Sequence, residues 1–144
     1  MAKNITIAVD AMGGDHAPDM VIEGIAQART FFPGTQFLVF GDEARIKPLL
    51  DKQPDLTAAS TLVHTSDVVT SDMKPSQALR KGRQSSMGLA IQAVKDGTAD
   101  VAISAGNTGA LMALAKFLLR TMPGIDRPAL ISPLPTLRGE SVML

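Results

Sequence analysis

The sequence predicts an α/β fold with three layers, α/β/α, in which a mainly parallel sheet lies between two layers of helices. Short apolar stretches rich in β-branched residues alternate with longer segments whose apolar residues recur every three to four positions. Such alternation is typical of parallel sheets that helices cover on both faces. Hydrophobic residues make up 45% of the 144 residues, so we expect one α/β domain over residues 1–144.

The amino-terminal part is predicted to form a strand, a helix, a strand, a helix and a strand. Residues 5–9 alternate in the manner of a strand, and an apolar stripe over residues 21–32 predicts a helix. Pro18 suits the first turn of that helix. The remaining elements are a strand at 36–40, a helix at 42–50 that Asp42 can cap and Pro48 weakens, and a strand at 61–64 that ends in a structural His64.

The carboxyl-terminal part continues this alternation after a polar loop at 65–74 and a short helix or turn within 74–83. A helix then begins at Ser85-Ser86 and ends before Gly97. Ser85 or Ser86 either caps that helix or offers its hydroxyl to a bound anion. The last predicted elements are a strand at 101–103, a helix at 110–119, a loop at 122–128, a strand at 129–131, a turn at 133–135 and a strand at 141–144, the late strands pairing antiparallel.

Composition excludes several classes of function. The chain has no Cys, which excludes disulfides, a Cys nucleophile and thiolate metal sites. Aromatic residues are only 3%, without Trp or Tyr, which disfavours stacking on nucleic-acid bases, so we expect no nucleic-acid partner. No signal peptide precedes the first strand, and the apolar helix at 110–119 is shorter than the ~20 residues that a membrane span needs.

The charge is divided between the two halves although the net charge is zero. Residues 1–72 hold five Lys and Arg against ten Asp and Glu, whereas residues 73–144 hold nine against four. Four of the basic residues lie close together, at Lys74, Arg80, Lys81 and Arg83. Such a cluster either attracts phosphate or an acidic partner or is a solvated face, and both interpretations stay open.

A glycine-containing turn at 104–109 joins a predicted strand to a predicted helix. Unpaired N–H groups and the helix dipole favour an anion at such a turn. Gly106 and Gly109 allow close approach of a ligand, and Ser104, Asn107 and Thr108 add hydrogen-bonding side chains. In the alternative interpretation, Asn107 or Ser104 simply caps a buried helix.

A second strand-to-helix loop, at 10–18, contains Asp10, Gly13, Gly14, Asp15 and His16 without the glycine spacing of dinucleotide-binding proteins. Asp15 and His16 can perform acid–base chemistry. They can equally be structural, with Asp15 as a helix cap and Asp10 as an acceptor for the loop backbone. A metal site formed by Asp10, Asp15 and His16 is a third interpretation.

Five stretches together resemble a known family. They are DAMGGDHAP at 10–18, KPSQA at 74–78, SSM at 85–87, SAGNTGALM at 104–112 and PGIDRPA at 123–129. Their order and spacing resemble the bacterial acyl-acyl carrier protein:phosphate acyltransferase family of phospholipid synthesis, over essentially all 144 residues. Members of that family are longer, so the resemblance implies that the chain is the amino-terminal portion of such an enzyme.

The resemblance implies a three-layer fold akin to that of the isocitrate and isopropylmalate dehydrogenases. It implies that long-chain acyl-acyl carrier protein and inorganic phosphate give acyl phosphate and free carrier protein. It also implies a homodimer without cofactor, located in the cytoplasm and attached peripherally to the membrane through regions outside this chain. We expect no metal.

The residues suit that chemistry, because phosphate is the nucleophile and the protein has only to position it and stabilise an oxyanion. The residues expected to line the phosphate or oxyanion site are Ser104, Gly106, Asn107, Thr108 and Gly109, faced by Asp10, Gly13, Gly14, Asp15 and His16. Asn107 and His16 are the catalytic candidates, His16 for proton transfer. The residues expected to attract phosphate or the acidic carrier are Arg80, Lys81 and Arg83.

Other functions stay open at this point. A phosphotransacetylase-like enzyme acting on acyl-CoA would share the fold and the anion-binding turn. The chain could also be a non-catalytic platform that binds phosphate or carrier protein. A nicotinamide dehydrogenase is possible on fold grounds alone, but fold does not assign chemistry, and the glycine fingerprint is missing.

Overall fold

A computed structural model of the chain describes residues 4–143, and its centre is a parallel sheet of four strands. The strands are β1 (Thr6–Asp10), β2 (Gln36–Gly41), β3 (Ser60–His64) and β4 (Val101–Ser104). Their order across the sheet is β3-β2-β1-β4, and each neighbouring pair is parallel. Parallel neighbours need crossover connections, and helices supply them here.

Six helices connect the strands or pack beside them. They are α1 (Asp19–Phe31), α2 (Glu43–Leu50), α3 (Pro54–Ala58), α4 (Pro75–Lys81), α5 (Ser86–Lys95) and α6 (Thr108–Leu119), with a 3-10 turn at Gly82–Gln84 after α4. Asp42 accepts a hydrogen bond from Ala44 N–H and so caps α2, as predicted. The short helix α3 was not predicted, because five residues are too few to form an apolar stripe.

Strand residues alternate between the two faces of the sheet, and each face is covered. Val9 and Val39 pack with Ile22 and Ile46, which places α1 and α2 on one face. Ala8 and the neighbouring strand residues of the other face pack against α5, where small residues allow a close approach. Helices α4 and α6 share a further apolar cluster with α5. The predicted three-layer α/β/α fold with a parallel sheet is confirmed.

The carboxyl-terminal strands differ from the prediction. Residues 129–131 are irregular, and the strands are β5 (Ser132–Thr136) and β6 (Gly139–Met143), with the turn between them. They pair antiparallel, as expected, but in a two-stranded sheet of their own. The predicted turn at 133–135 lies inside β5. In an antiparallel pair alternate N–H groups point away from the partner, so two prolines two positions apart need not remove a ladder bond.

The edge of the central sheet at β4 carries exposed apolar side chains. Val101 is 41% exposed and Ile103 is 51% exposed, and no described strand pairs with the outer side of β4. The first predicted strand begins one residue later than expected, at Thr6, and Leu144 of the last predicted strand lies outside the described residues. Within residues 4–143 we find no helix with both the length and the apolar character of a membrane span.

Candidate functional site

The two glycine-containing loops meet because their strands are neighbours in the sheet. Strands β1 and β4 pair in parallel, and the register places Asp10, the last residue of β1, opposite Ser104, the last residue of β4. Both chains then leave the sheet at its carboxyl edge, which is where open α/β sheets bind their ligands. The loops after Asp10 and Ser104 therefore lie side by side.

A buried carboxylate connects the two loops. Asp10 is only 2% exposed, and its Oδ1 accepts a hydrogen bond from Met12 N–H at 3.2 Å. Its Oδ2 accepts a bond from the Ser104 hydroxyl at 2.7 Å, and Ser104 Oγ in turn accepts one from Gly106 N–H at 3.0 Å. Asp10 thus holds its own loop and, through Ser104, the neighbouring loop. The interpretation of Asp10 as an acceptor for the loop backbone is confirmed.

The glycines let the two loops touch. A Cβ atom on Gly13 would lie 2.6 Å from Asp10 Oδ2, 2.7 Å from Ser104 Oγ and 2.9 Å from Gly106 N. A Cβ atom on Gly106 would lie 3.2 Å from Gly13 Cα. Backbone and short polar atoms fill the space where these side chains would stand. Gly13 therefore cannot carry even a methyl group unless the Asp10 network moves.

Asn107 links the start of α6 to the polar loop after β3. Its Oδ1 accepts a bond from Ala110 N–H at 3.0 Å, so Asn107 caps α6, as one of the two interpretations predicted. Its Nδ2 lies within bonding distance of three carbonyl oxygens, at 2.8 Å for Met73, 3.0 Å for Ser71 and 3.3 Å for Thr70. An amide nitrogen has two hydrogens, so these carbonyls share them. The amide of Asn107 holds the loop over α6.

A cleft of about 650 Å³ opens between these segments. Its lining residues are Met12, Gly14, Asp15, Val68, Val69, Thr70, Ser71, Ala105, Gly106, Asn107, Thr108 and Gly109. The amino terminus of α6 faces it, and neither Thr108 N–H nor Gly109 N–H bonds to another described residue. Free N–H groups and the positive end of a 12-residue helix make this end of the cleft suitable for an anionic oxygen.

Two carboxyl groups, those of Asp15 and Asp72, belong to the loops that border the cleft. Asp15 lines the cleft and is exposed. On the loop over α6, the hydroxyl of Thr70 and then the backbone of Asp72 itself hold the pKa of the Asp72 carboxyl below its ordinary value.

Asp10, Asp15 and His16 do not form a metal site, since no group of three potential ligands among residues 4–143 could hold a metal ion.

Of the predicted site residues, Gly14, Asp15, Gly106, Asn107, Thr108 and Gly109 line the cleft. Directly behind them lie Asp10, Gly13 and Ser104. His16 follows Asp15 on the same loop and is exposed, but it is not a lining residue. Asp15 forms no cap on α1, whose N-cap residue is Pro18.

Other predicted residues lie away from the cleft. Ser85 caps α5, accepting a bond from Gly88 N–H and donating one to the Gly82 carbonyl. Ser86 is fully buried, and its hydroxyl has no partner among the described residues. Arg80 and Lys81 occupy the last turn of α4, and Arg83 the 3-10 turn, so none of the three lines the cleft. His64 accepts a bond from Glu43 N–H at the start of α2, which confirms its structural role.

The loop at 68–71 forms a wall of the cleft that the sequence does not predict. This loop follows β3, which lies at the far edge of the sheet from β4. It returns across the carboxyl edge to reach Asn107. The local sequence of a polar loop does not show which other part of the protein it contacts. The contact between this loop and Asn107 therefore could not be predicted from the sequence.

The fold and the cleft define a class: a three-layer α/β/α protein with a helix amino terminus suited to an anion at the carboxyl edge of its parallel sheet. Comparison with known sequences narrows this class. The family described as fatty acid synthesis protein matches residues 5–144, and the chain belongs to that family. The resemblance noted from the five stretches is confirmed.

Relatives in three bacteria carry the name phosphate acyltransferase. The chain is 63% identical to that of Rhodospirillum centenum over 144 residues, 60% identical to that of Rhodospirillum rubrum, and 59% identical to that of Azorhizobium caulinodans over 145 residues. Each match covers 100% of this chain and 41% of the relative. The chain therefore spans about two fifths of the length of these relatives.

Proposed function

We propose that the chain is part of an acyltransferase that transfers a long-chain acyl group from acyl carrier protein to inorganic phosphate, producing acyl phosphate for phospholipid synthesis. The observation that carries this proposal is the cleft at the amino terminus of α6, with two free N–H groups and the Asp15 carboxyl facing the same space. The name phosphate acyltransferase of the relatives, at up to 63% identity, supports the reaction class.

Phosphate binds, in this proposal, with its oxygens at Thr108 N–H, Gly109 N–H and the Thr108 hydroxyl. A charge at a helix terminus gains typically ~0.3–1 kcal/mol from the dipole, so the backbone donors supply the larger share of the binding. Phosphate near neutral pH retains a proton, and Asp15 as a carboxylate can accept a hydrogen bond from that P–OH group. Asp10 and Ser104 act behind the site by fixing the loops.

The chemical step needs no enzyme nucleophile. An oxygen of monohydrogen phosphate attacks the thioester carbonyl carbon, a C–O bond forms, and the carbon–sulfur bond breaks. The phosphate proton is lost, and the leaving thiolate takes up one proton, so acyl phosphate and a free thiol result. His16, next to Asp15, is proposed to transfer this proton. Asn107 is proposed as an oxyanion donor, for which its amide must exchange one loop carbonyl for the substrate oxygen.

The remaining predicted residues and partners belong to the same proposal. Arg80, Lys81 and Arg83 are proposed to attract phosphate or the acidic carrier. The alternative of a cap holds for Ser85, and neither Ser85 nor Ser86 lines the cleft as a substrate-binding residue. A homodimer and a peripheral attachment to the membrane also stay part of it. The β5–β6 hairpin exposes the apolar side chains of Leu134, Leu137 and Val142. Such an exposed apolar surface supports the proposal that another protein surface packs against the hairpin.

The reaction is tested with ³²P-labelled phosphate and a long-chain acyl thioester. Label that passes into an organic-extractable acyl phosphate is measured with acyl carrier protein, with acyl-CoA and without thioester. We expect label transfer from the carrier thioester by the Rhodospirillum centenum relative. A relative that labels only from acyl-CoA would support the phosphotransacetylase-like alternative. Binding of carrier and phosphate by the relative without any product would support a non-catalytic platform.

A further inference from the structure

A second concavity of about 800 Å³ lies along the carboxyl-terminal half of α6 and shares no lining residue with the cleft. Helices α4, α5 and α6 and the 3-10 turn at Gly82–Gln84 form its walls, and we call it the helical groove. Thr108 at the cleft and Phe117 in the groove are nine residues apart on α6. This separation corresponds to about 14 Å along the helix axis.

The helical groove is positively charged. Arg83, Lys95, Lys116 and Arg120 line it, and no Asp or Glu does. Among residues 4–143, none of these four side chains forms an ion pair. Lys116 Nζ donates to the Asp126 carbonyl at 3.1 Å, which leaves its charge unneutralised. The acidic Asp96 at the end of α5 accepts a bond from Gln92 instead. The groove therefore presents a concentrated positive potential.

The floor of the helical groove is apolar. Leu79, Leu89 and Leu118 contribute aliphatic surface, and Phe117 remains 54% exposed. The guanidinium of Arg83 lies 4.6 Å from the centre of the Phe117 ring, which holds both side chains in place. An apolar floor bordered by cations is complementary to a helix with one apolar face and acidic flanks.

We propose that the helical groove docks an acidic amphipathic helix of the protein that carries the acyl thioester. The identity of this partner rests on the proposed function, whereas the charge and shape of the groove do not. Apolar contacts with Phe117 and the leucines anchor the helix, and Lys95, Lys116 and Arg120 pair with its acidic flanks. Arg83 takes part in docking, while Arg80 and Lys81, outside the groove, act only through their long-range field.

Two other anionic partners fit the groove less well. Proteins bind a lipid surface through apolar side chains that protrude into it. The helical groove is concave, and its cations border a recessed apolar floor, so it does not suit a lipid surface. A single nucleic-acid strand binds by stacking on several aromatic side chains, and Phe117 is the one aromatic residue in the groove. A protein helix, about 10–12 Å across with its side chains, meets both the shape and the charge.

The test measures fluorescence anisotropy of labelled apo acyl carrier protein titrated with this chain, without acyl group or phosphate. Lys95→Glu combined with Arg120→Glu is expected to weaken binding at least tenfold, and Phe117→Ala to weaken it about fivefold. Lys52→Glu with Arg138→Glu, an equal change of charge at exposed positions that do not line the groove, is expected to change it less than twofold. Circular dichroism of each variant checks that it folds.

The outcomes separate docking from chemistry. If the double variant in the groove and the control double variant weaken carrier binding equally, the docking site is wrong. Nonspecific electrostatic attraction would then explain the binding. Tighter binding of anionic vesicles or single-stranded DNA, lost in the same groove variants, would also overturn the docking site. Carrier binding by this chain but not by the longer Rhodospirillum centenum relative would also overturn the docking site, because the groove would then be covered in the longer protein. If the groove variants weaken carrier binding but the relative transfers no ³²P, the proposed reaction is wrong and the docking site is supported.

Discussion

The hydroxyl of Ser104 donates a 2.7 Å hydrogen bond to Oδ2 of Asp10, across the pairing of β4 with β1 and over 94 residues of sequence. Ser104 also accepts a bond from Gly106 N–H, and Asp10 one from Met12 N–H. This pair fixes both loops that face the cleft. The cleft is therefore built by an interaction between strand ends, and the N–H groups of Thr108 and Gly109 that face it stay free of bonds to other described residues.

Ser104→Ala is expected to destabilise the chain by about 1–3 kcal/mol, because it leaves a buried carboxylate oxygen and a backbone N–H without a partner. Urea denaturation measures this change. Ser76→Ala, at an exposed serine without a side-chain hydrogen bond, is the matched control and should stay within about 0.5 kcal/mol of the original chain. Equal effects at the two positions would contradict the role of the Asp10–Ser104 pair.

Gly13→Ala is expected to destabilise the chain by about 1–3 kcal/mol and to weaken phosphate binding, since the added methyl group would meet Asp10, Ser104 and Gly106 at 2.6–2.9 Å. Gly24→Ala on the exposed face of α1 is the control, because a Cβ there meets nothing within 4 Å. It should stabilise the chain by about 0.5–1 kcal/mol. Thermal denaturation and phosphate titration of both variants test this contrast. A Gly13→Ala variant as stable as the Gly24 variant would show that the loops have room to move.

Asn107→Ala is expected to lower turnover in the proposed acyl transfer about 10²-fold and to destabilise α6 by about 1 kcal/mol. Asn107→Ser separates the two effects, because serine can cap the helix but has no amide to donate. We expect this variant to regain stability without regaining turnover. The assay is ³²P transfer from the carrier thioester. Near-normal turnover of Asn107→Ser would reduce Asn107 to a helix cap.

Thr70→Ala is expected to raise the pKa of Asp72 toward its ordinary value, because the Thr70 hydroxyl is the largest cause of its lowering. A lowered pKa means that Asp72 contributes stability above the ordinary aspartate range near pH 4, and that this contribution is lost as pH falls through the folded-state pKa. NMR titration of the Asp72 carboxyl measures the shift. Ser71→Ala, on the same loop, is the control and should leave the pKa of Asp72 unchanged.

The fold was largely predictable because its signals are local. Apolar stripes located the long helices, and Asp42 and Asn107 were recognised as possible caps. The sequence also placed Asp10 and Ser104 near strand ends. It could not show that β1 and β4 are neighbours, nor that the loop after β3 crosses the sheet edge to meet Asn107. Those relationships depend on strand order, which long-range packing decides.

The error in β5 has a different cause. The sequence predicts a turn at Pro133 and Pro135, because proline usually interrupts strands. In the structure both residues belong to a two-stranded hairpin whose residues are all exposed. An isolated hairpin has two edges and tolerates prolines that the central sheet would exclude. Residue type alone therefore predicted the wrong position for the turn.

Thr108→Asp decides whether phosphate binds at the amino terminus of α6. A carboxylate at this position interacts favourably with the positive end of the helix dipole, so the variant should be at least as stable as the original chain. The same negative charge should repel phosphate from the cleft. Isothermal titration of this chain with inorganic phosphate is the measurement. We predict binding by the original chain and at least tenfold weaker binding by Thr108→Asp, with unchanged or higher thermal stability. Equal phosphate binding by the two proteins would contradict the assignment of the site.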